Sequence, residues 1–255
     1  YEAHKYQRPA SVAIRELAPF NTFYAEGRRV RIDEVDLGNS DDSLIESWRL
    51  CAACNHAERG ESAVLSVQGC PSCGDDRWSD VDQVRSLVYF RRSRSLATRL
   101  EAATSDDGDD RQREHYQTLD LIDVEQGNLS GARLIEDLPF GFELLTKLKL
   151  REVNFGLEAD SRLEVAGERV NADGFRVCRD CGKVQSSDRP PVIHHAPTCR
   201  TKRGMQERLE SLYLYREVES EAIRLLLPVA DLDVEVQKAS FRAALELGLR
   251  LRYGG

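Results

Sequence analysis

The sequence predicts an α+β fold, mainly antiparallel β, with two cysteine knuckles and a helical C-terminal part. Three observations predict it. All seven cysteines fall at knuckle spacing: Cys51-Ala-Ala-Cys54 with Cys70-Pro-Ser-Cys73, and Cys178-Arg-Asp-Cys181 with His194-His195 and Cys199. Residues 116–156 read as strands, with apolar and polar residues alternating at Thr118–Leu121 and from Phe142 to Arg151 as half-buried strands require, and 209–218 is another β run around Leu212-Tyr213-Leu214-Tyr215. The C-terminal stretch carries apolar residues at helical spacing, with Lys238, Arg242, Glu246 and Arg250 as a polar stripe.

The knuckles come first because they organise the rest. In Cys-x-x-Cys a tight turn aims two sulfurs at one point, and a second pair from a distant turn completes a tetrahedron around Zn²⁺. The spacing therefore predicts two structural zinc ions. Cys51, Cys54, Cys70 and Cys73 form a zinc-ribbon-like set of four thiolates. Cys178, Cys181 and Cys199 form the second set with one histidine, His195, because His-x-x-x-Cys leaves chain enough to turn both ligands inward; His194 is the alternative. Disulfides are the competing reading of the first set, since four cysteines allow three pairings. The odd total and the histidine beside Cys199 favour metal. Four protein ligands close each shell, and there is no His-Glu-x-x-His. A catalytic zinc is therefore not expected. No phosphate loop, no Gly-x-Ser-x-Gly elbow and no spare cysteine nucleophile is present, so no catalytic residue is assigned. His4, His56 and His115 read as isolated and exposed.

The chain has 255 residues, a net charge of −8 and no apolar run that could span a bilayer. Such an acidic chain would bind nucleic acid only through a local patch. Reduced, metal-bound cysteines predict the cytoplasm. Tyr1 is not a start methionine and the chain stops at Gly255 just past a helical pattern, so the expectation is a segment of a larger protein.

Taken in order, residues 1–46 hold a short apolar stretch, Val12-Ala13-Ile14, and a hairpin of Thr22-Phe23-Tyr24 with Val30-Arg31-Ile32, Gly27 supplying a positive φ at its turn. Residues 47–80 are the four-cysteine ribbon, against which Trp48, Trp78 or both are expected to pack. Residues 81–175 form a β-rich middle part with an acidic loop at 105–110. Within it, Tyr89, Arg91, Arg92 and Arg94 interleave an aromatic ring with guanidinium groups, a pattern that can stack bases and hold phosphates. The competing reading is a strand with Leu87 and Tyr89 on the core side.

From Phe142 to Arg151, alternation puts Phe142, Leu144, Leu148 and Leu150 on one face and Lys147, Lys149 and Arg151 on the other. That cationic row is either a second nucleic-acid face or a solubilising strand edge. Leu163-Glu164-Val165 and Gly174 to Val177 bracket a turn at Ala166-Gly167. Residues 176–255 carry the second knuckle, closed by a proline-stiffened loop at 186–191, and the C-terminal helices. There Ser220 caps a short helix from Glu221 to Leu227, stopped by Pro228, and Asp233 caps a last helix that is nearly buried.

A resemblance adds to this reading. It rests on Ser11-Val-Ala-Ile-Arg-Glu-Leu-Ala-Pro19, Cys178-Arg-Asp-Cys-Gly182 with the later His-x-x-x-Cys, Leu212-Tyr-Leu-Tyr-Arg-Glu217, Ser220-Glu-Ala-Ile-Arg-Leu-Leu-Leu-Pro228 and Ser240-Phe-Arg-Ala-Ala-Leu. Together these resemble the C-terminal region of bacterial superfamily-two DNA helicases with an MrfA-type zinc-binding domain, found in DNA repair and in antiphage defence. The resemblance implies an accessory module that organises the C-terminal layer of an ATP-dependent motor and helps position DNA, single-stranded DNA included. The motor lies in the same chain or in a partner chain. A protein-interaction scaffold that never touches DNA is the other reading, favoured by the acidic charge.

Overall fold

The structure, a computed structural model, describes residues 4–26, 28–39, 41–65, 68–95, 114–124, 128–134, 141–185, 195–200, 208–226 and 235–254. Gly27, the acidic loop 105–110, the loop 186–191, His194, Pro228 and Asp233 lie outside the described residues.

The elements run α1 (Ala10–Glu16), β1 (Thr22–Ala25), β2 (Arg28–Arg31), β3 (Glu34–Val35), β4 (Ile45–Leu50), β5 (Ala57–Arg59), α2 (Glu61–Val64), β6 (Val84–Tyr89), β7 (Ser93–Arg94), β8 (Tyr116–Asp123), β9 (Leu129–Leu134), β10 (Gly141–Leu157), β11 (Arg162–Val165), β12 (Glu168–Asn171), β13 (Phe175–Cys178), β14 (Leu209–Leu226) and α3 (Glu235–Tyr253). This is the mainly antiparallel, helix-poor α+β arrangement the alternation predicts. One pairing is parallel, β14 on β6. The chain divides into two units: Tyr1–Asp123 with Lys149–Glu219, and Val124–Leu148 with Ser220–Gly255.

In the first unit the sheet runs β5-β4-β6-β14-β10-β8, with β13 also on β14. Successive strand residues point to opposite faces, so β14 feeds two cores at once. Tyr213 and Tyr215 join Trp48, Leu87, Val153 and Phe155 on one face, where Leu163, Val165 and Val170 of the β11–β12 hairpin pack against them. Leu212 and Leu214 join Ile14, Val88, Phe175 and Val177 on the other. A strand covered on both sides reads as a continuous apolar run, and Leu-Tyr-Leu-Tyr is that run.

Two opposite ion pairs fix β14 against β10. Arg151 Nε donates to Glu217 at 2.5 Å, and Arg216 Nε to Glu152 at 2.7 Å. Neighbouring residues on each strand face opposite ways, so the two pairs brace both faces of the sheet.

Val12-Ala13-Ile14, read from the sequence only as an apolar stretch, lies in a helix, α1, entered through Pro9, whose carbonyl accepts from Val12 and Ala13 at 2.9 and 2.8 Å. Several expectations are corrected. The hairpin at Ala166-Gly167 closes onto Glu168–Asn171, so its second strand is β12, and β13 pairs instead with β14. No helix starts at Ser220: β14 continues to Leu226, and the Ser220 hydroxyl donates to the Glu221 carbonyl rather than capping a helix. Strand pairing overrides the helix preference of Glu-Ala-Ile-Arg-Leu-Leu.

Where β10 passes Leu144 and Leu145 the register with β9 shifts, Ser130 of β9 being the extra residue, and Leu145 and Leu148 are buried while Leu144 is exposed. Tyr89 is 38% exposed, its ring 5.4 Å from Tyr215, whereas Leu87 is buried as expected. Finally, α3 is exposed along its described side chains, Leu245 being partly covered, and is not a buried helix.

Candidate metal centres

Cys51 and Cys54 sit in the loop of the β4–β5 hairpin, whose last pair is Leu50 with Ala57. Cys70 and Cys73 sit in the turn that follows α2. The two turns bring four sulfurs together, all within 4.8 Å of one another. Cys51 Sγ lies 3.6 Å from Cys73 Sγ, and Cys54 Sγ 3.7 Å from Cys70 Sγ. In the second group, Cys178 Sγ lies 3.8 Å from Cys199 Sγ. His195 Nδ1 is 3.8 Å from Cys181 Sγ and 3.6 Å from Cys199 Sγ. A disulfide needs about 2.05 Å, and no disulfide joins any of the seven cysteines. The structure therefore brings together all eight residues named from spacing, as two four-donor groups that could each hold one metal ion.

One backbone pattern builds all three Cys-x-x-Cys turns. The amide of the first cysteine donates to the carbonyl five residues on: Cys51 to His56 at 3.0 Å, Cys70 to Asp75 at 3.0 Å, Cys178 to Lys183 at 2.9 Å. In two of them the residue after the second cysteine is a glycine at positive φ, Gly74 at 78° and Gly182 at 73°. Its amide returns to the first cysteine's carbonyl at 2.8 Å in both. A Cys-Gly pair is thus the readable mark of the turn.

Backbone amides also donate to the sulfurs: Ala53 and Cys54 to Cys51, His56 to Cys54, Asp75 to Cys73, and Ala196 and Lys183 to Cys181. Burial dominates for most of these thiols. It raises Cys51 far above its usual value, raises Cys54, and pushes Cys181 up to about 12. Cys73, the exposed cysteine of the first group, is held below its usual value by the Asp75 amide.

Each centre is tied into the first unit. Trp78 packs on Cys51, Cys54 and Cys70 as expected, whereas Trp48 belongs to the main core. His56, expected to be isolated, lies with its ring 5.1 Å from Trp78 and 2.9 Å from Glu58. Sequence reasoning missed Arg49, a 2% exposed residue whose guanidinium donates to the carbonyls of Trp78, Asp80 at 2.9 Å and Val64 at 3.1 Å, stapling the loops around the first group. The β11–β12 turn adds two bonds, Ala166 N–H to Cys51 O at 2.9 Å and Gly167 N–H to Ala52 O at 2.7 Å. At the second centre, Gly182 O accepts from Val35 at 2.9 Å, and the buried Lys183 ammonium meets Asp33 at 2.6 Å.

The expected cationic faces are distributed differently. Arg91 pairs with Asp42 at 3.5 Å and Arg94 with Glu34 at 3.2 Å; Arg92 is exposed. Arg151 has a side chain only 8% exposed, held between Glu217 and Asp123. Lys149 faces Asp123 across the strands. Counted outward from the Arg151–Glu217 pair, antiparallel alternation also sets Lys149 level with Glu219 and Lys147 level with Glu221.

Among the described residues, no helix is long and apolar enough to cross a membrane. No protein-family model, curated protein or solved structure matches this chain.

Proposed function

We propose that both groups hold Zn²⁺ as structural ions, and that the chain is a zinc-braced accessory module of an ATP-dependent DNA helicase, of the kind used in DNA repair or antiphage defence. The observation that carries the zinc assignment is the donor spacing. A tetrahedral ion with Zn–S near 2.3 Å and Zn–N near 2.05 Å has edges of about 3.8 Å between sulfurs and about 3.6 Å between sulfur and nitrogen. The close pairs here measure 3.6, 3.7, 3.8, 3.8 and 3.6 Å. Thiolate-rich sets select soft or borderline ions. Each bound ion would link two turns distant in sequence, and four protein ligands leave it no position for an activated water. The module's own part is therefore to hold shape. The helicase context rests on the motifs quoted from the sequence, and reduced thiolates suit the cytoplasm.

Elemental analysis of the purified, reduced chain tests the metal assignment, with two zinc atoms per molecule expected. Cys70→Ser with Cys73→Ser should leave one. A folded, metal-free protein would refute it.

A second reading has a specific observation behind it. Arg91, Arg94 and Arg151 are engaged with carboxylates, which favours a scaffold that binds the motor's protein surface without touching DNA. Anisotropy of labelled single-stranded DNA at two salt concentrations separates the two. Direct contact predicts binding that weakens steeply with salt; the scaffold predicts no binding, with capture by motor domains.

A further inference from the structure

The two four-donor groups differ in how much sulfur they show to water. In the second, Cys178 and Cys199 are 0 and 2% exposed, and Cys181 and His195 are half-buried. In the first, Cys51 and Cys70 are 0 and 3% exposed and Cys54 is half-buried, but Cys73 is exposed. It stands in a run of four exposed residues, Pro71 to Gly74. A Cβ on Gly74 would meet nothing within 4 Å, so this turn has open space beside it. Oxidation of a cysteine depends on access as well as on chemistry. A dissolved oxidant therefore reaches the Cys73 sulfur more readily than any of the other six.

A second sulfur lies within reach of the first. Cys51 Sγ is 3.6 Å from Cys73 Sγ. Cys51 itself is fixed, because its amide donates to the His56 carbonyl at 3.0 Å and its carbonyl accepts from Ala166 at 2.9 Å. A bond between the two sulfurs would thus draw in the exposed turn and leave the sheet in place. In the second group the sulfur pair at 3.8 Å, Cys178 with Cys199, has both members buried.

We propose that Cys73 is an oxidation site for hydroperoxides, resolved by Cys51 into a disulfide that empties the first metal centre and leaves the second loaded. The Cys73 thiolate attacks one oxygen of hydrogen peroxide, the O–O bond breaks and hydroxide leaves, giving a sulfenic acid. The Cys51 thiolate then attacks that sulfur, the S–O bond breaks and a second hydroxide leaves. Two thiolates and one peroxide become one disulfide and two hydroxide ions, which take up protons as water. Cys54 and Cys70 then remain as half of a four-donor shell. The switch rests on the structural-zinc reading, and the metal content before oxidation tests that reading separately.

Hydrogen peroxide added to the zinc-loaded 255-residue chain, with a colorimetric zinc indicator present, tests the switch. One ion per molecule should be released and one retained. Alkylation and peptide mapping should then place the disulfide between Cys51 and Cys73, and a thiol reductant with added zinc should restore both ions. Cys73→His, at an exposed position, keeps four donors and gives the first group the three cysteines and one histidine of the second. That variant should hold two ions, and the rate of release from its first centre should fall to that of the second. A wild type that holds two ions and releases neither, or both together, overturns the proposal. So does release from Cys73→His at the wild-type rate. If Cys73→His takes up only one ion, the wild-type map decides: another cysteine oxidised before Cys73 overturns the site. A disulfide from Cys73 to Cys54 or Cys70 keeps the site and overturns Cys51 as its partner. A chain without zinc at the start fails the structural-zinc reading, and the same map still reports whether Cys73 oxidises first.

Discussion

Gly74 and Gly182 occupy the same place in two metal turns, both at positive φ, but their surroundings differ. A Cβ on Gly74 would meet nothing within 4 Å, whereas one on Gly182 would lie 2.1 Å from the Val35 carbonyl oxygen. Gly74→Ala should therefore cost only the left-handed penalty, about 1 kcal/mol. Gly182→Ala adds a backbone clash and should cost about 3 kcal/mol or more while loosening the second centre. Denaturant midpoints of the two zinc-loaded variants check the difference; equal losses would mean the Val35 contact is not made. Arg49 makes a second case. Replacing it with Met keeps bulk but strands the carbonyls of Trp78, Asp80 and Val64, for an expected loss of about 3 kcal/mol. Arg49→Lys should recover only part, because one ammonium cannot reach three divergent acceptors as a planar fork does.

Strand register depends on pairs rather than single residues. Arg151–Glu217 and Arg216–Glu152 join β10 to β14 on opposite faces. Reversing one charge, Arg151→Glu, should destabilise by about 3–5 kcal/mol, because Glu217 and Asp123 would then face a third carboxylate in a site with little water. Adding Glu217→Arg should restore most of it, and the double-mutant cycle measures the coupling. These pairs also explain what could be read beforehand. Cys-x-x-Cys spacing is local and survives any fold, so both four-donor groups were legible. Alternation made β10 legible, and the apolar run Leu212-Tyr213-Leu214-Tyr215 did the same for the 209–218 half of β14. The bulge at Ser130 opposite Leu144 and Leu145, and the strand character of 219–226, were not, because both follow from what lies across the sheet. Nor was the role of Arg151: a cation on a polar strand face looks solvated until its partners, far away in sequence, are known. Arg49 and the Ala166-Gly167 contact escaped for the same reason.

At the scale of the molecule, both four-donor groups grip the same sheet. Cys51 directly follows β4 and Cys178 ends β13, and β6 and β14 connect those strands laterally. Loss of either metal should therefore soften the first unit as a whole, and pH gives a way to see it. Without metal, burial lifts the Cys51, Cys54 and Cys181 thiols above the usual value near 9.0. Their raised values mean that the metal-free fold holds these protons more tightly than the unfolded chain does. That stabilisation is complete below about pH 9 and is lost as pH rises through the folded values, about 12 for Cys181. The metal-bound fold has the opposite slope, because a bound ion must first expel those protons. Between pH 6 and pH 8 the zinc-loaded chain should therefore gain stability, with affinity rising by up to about tenfold per pH unit for each proton released. The metal-free chain should show no comparable gain from these thiols. Zinc competition against a chelator of known affinity at three pH values, alongside melting curves with and without metal, measures both slopes. Equal slopes in the two forms would mean that the cysteines do not hold the ion.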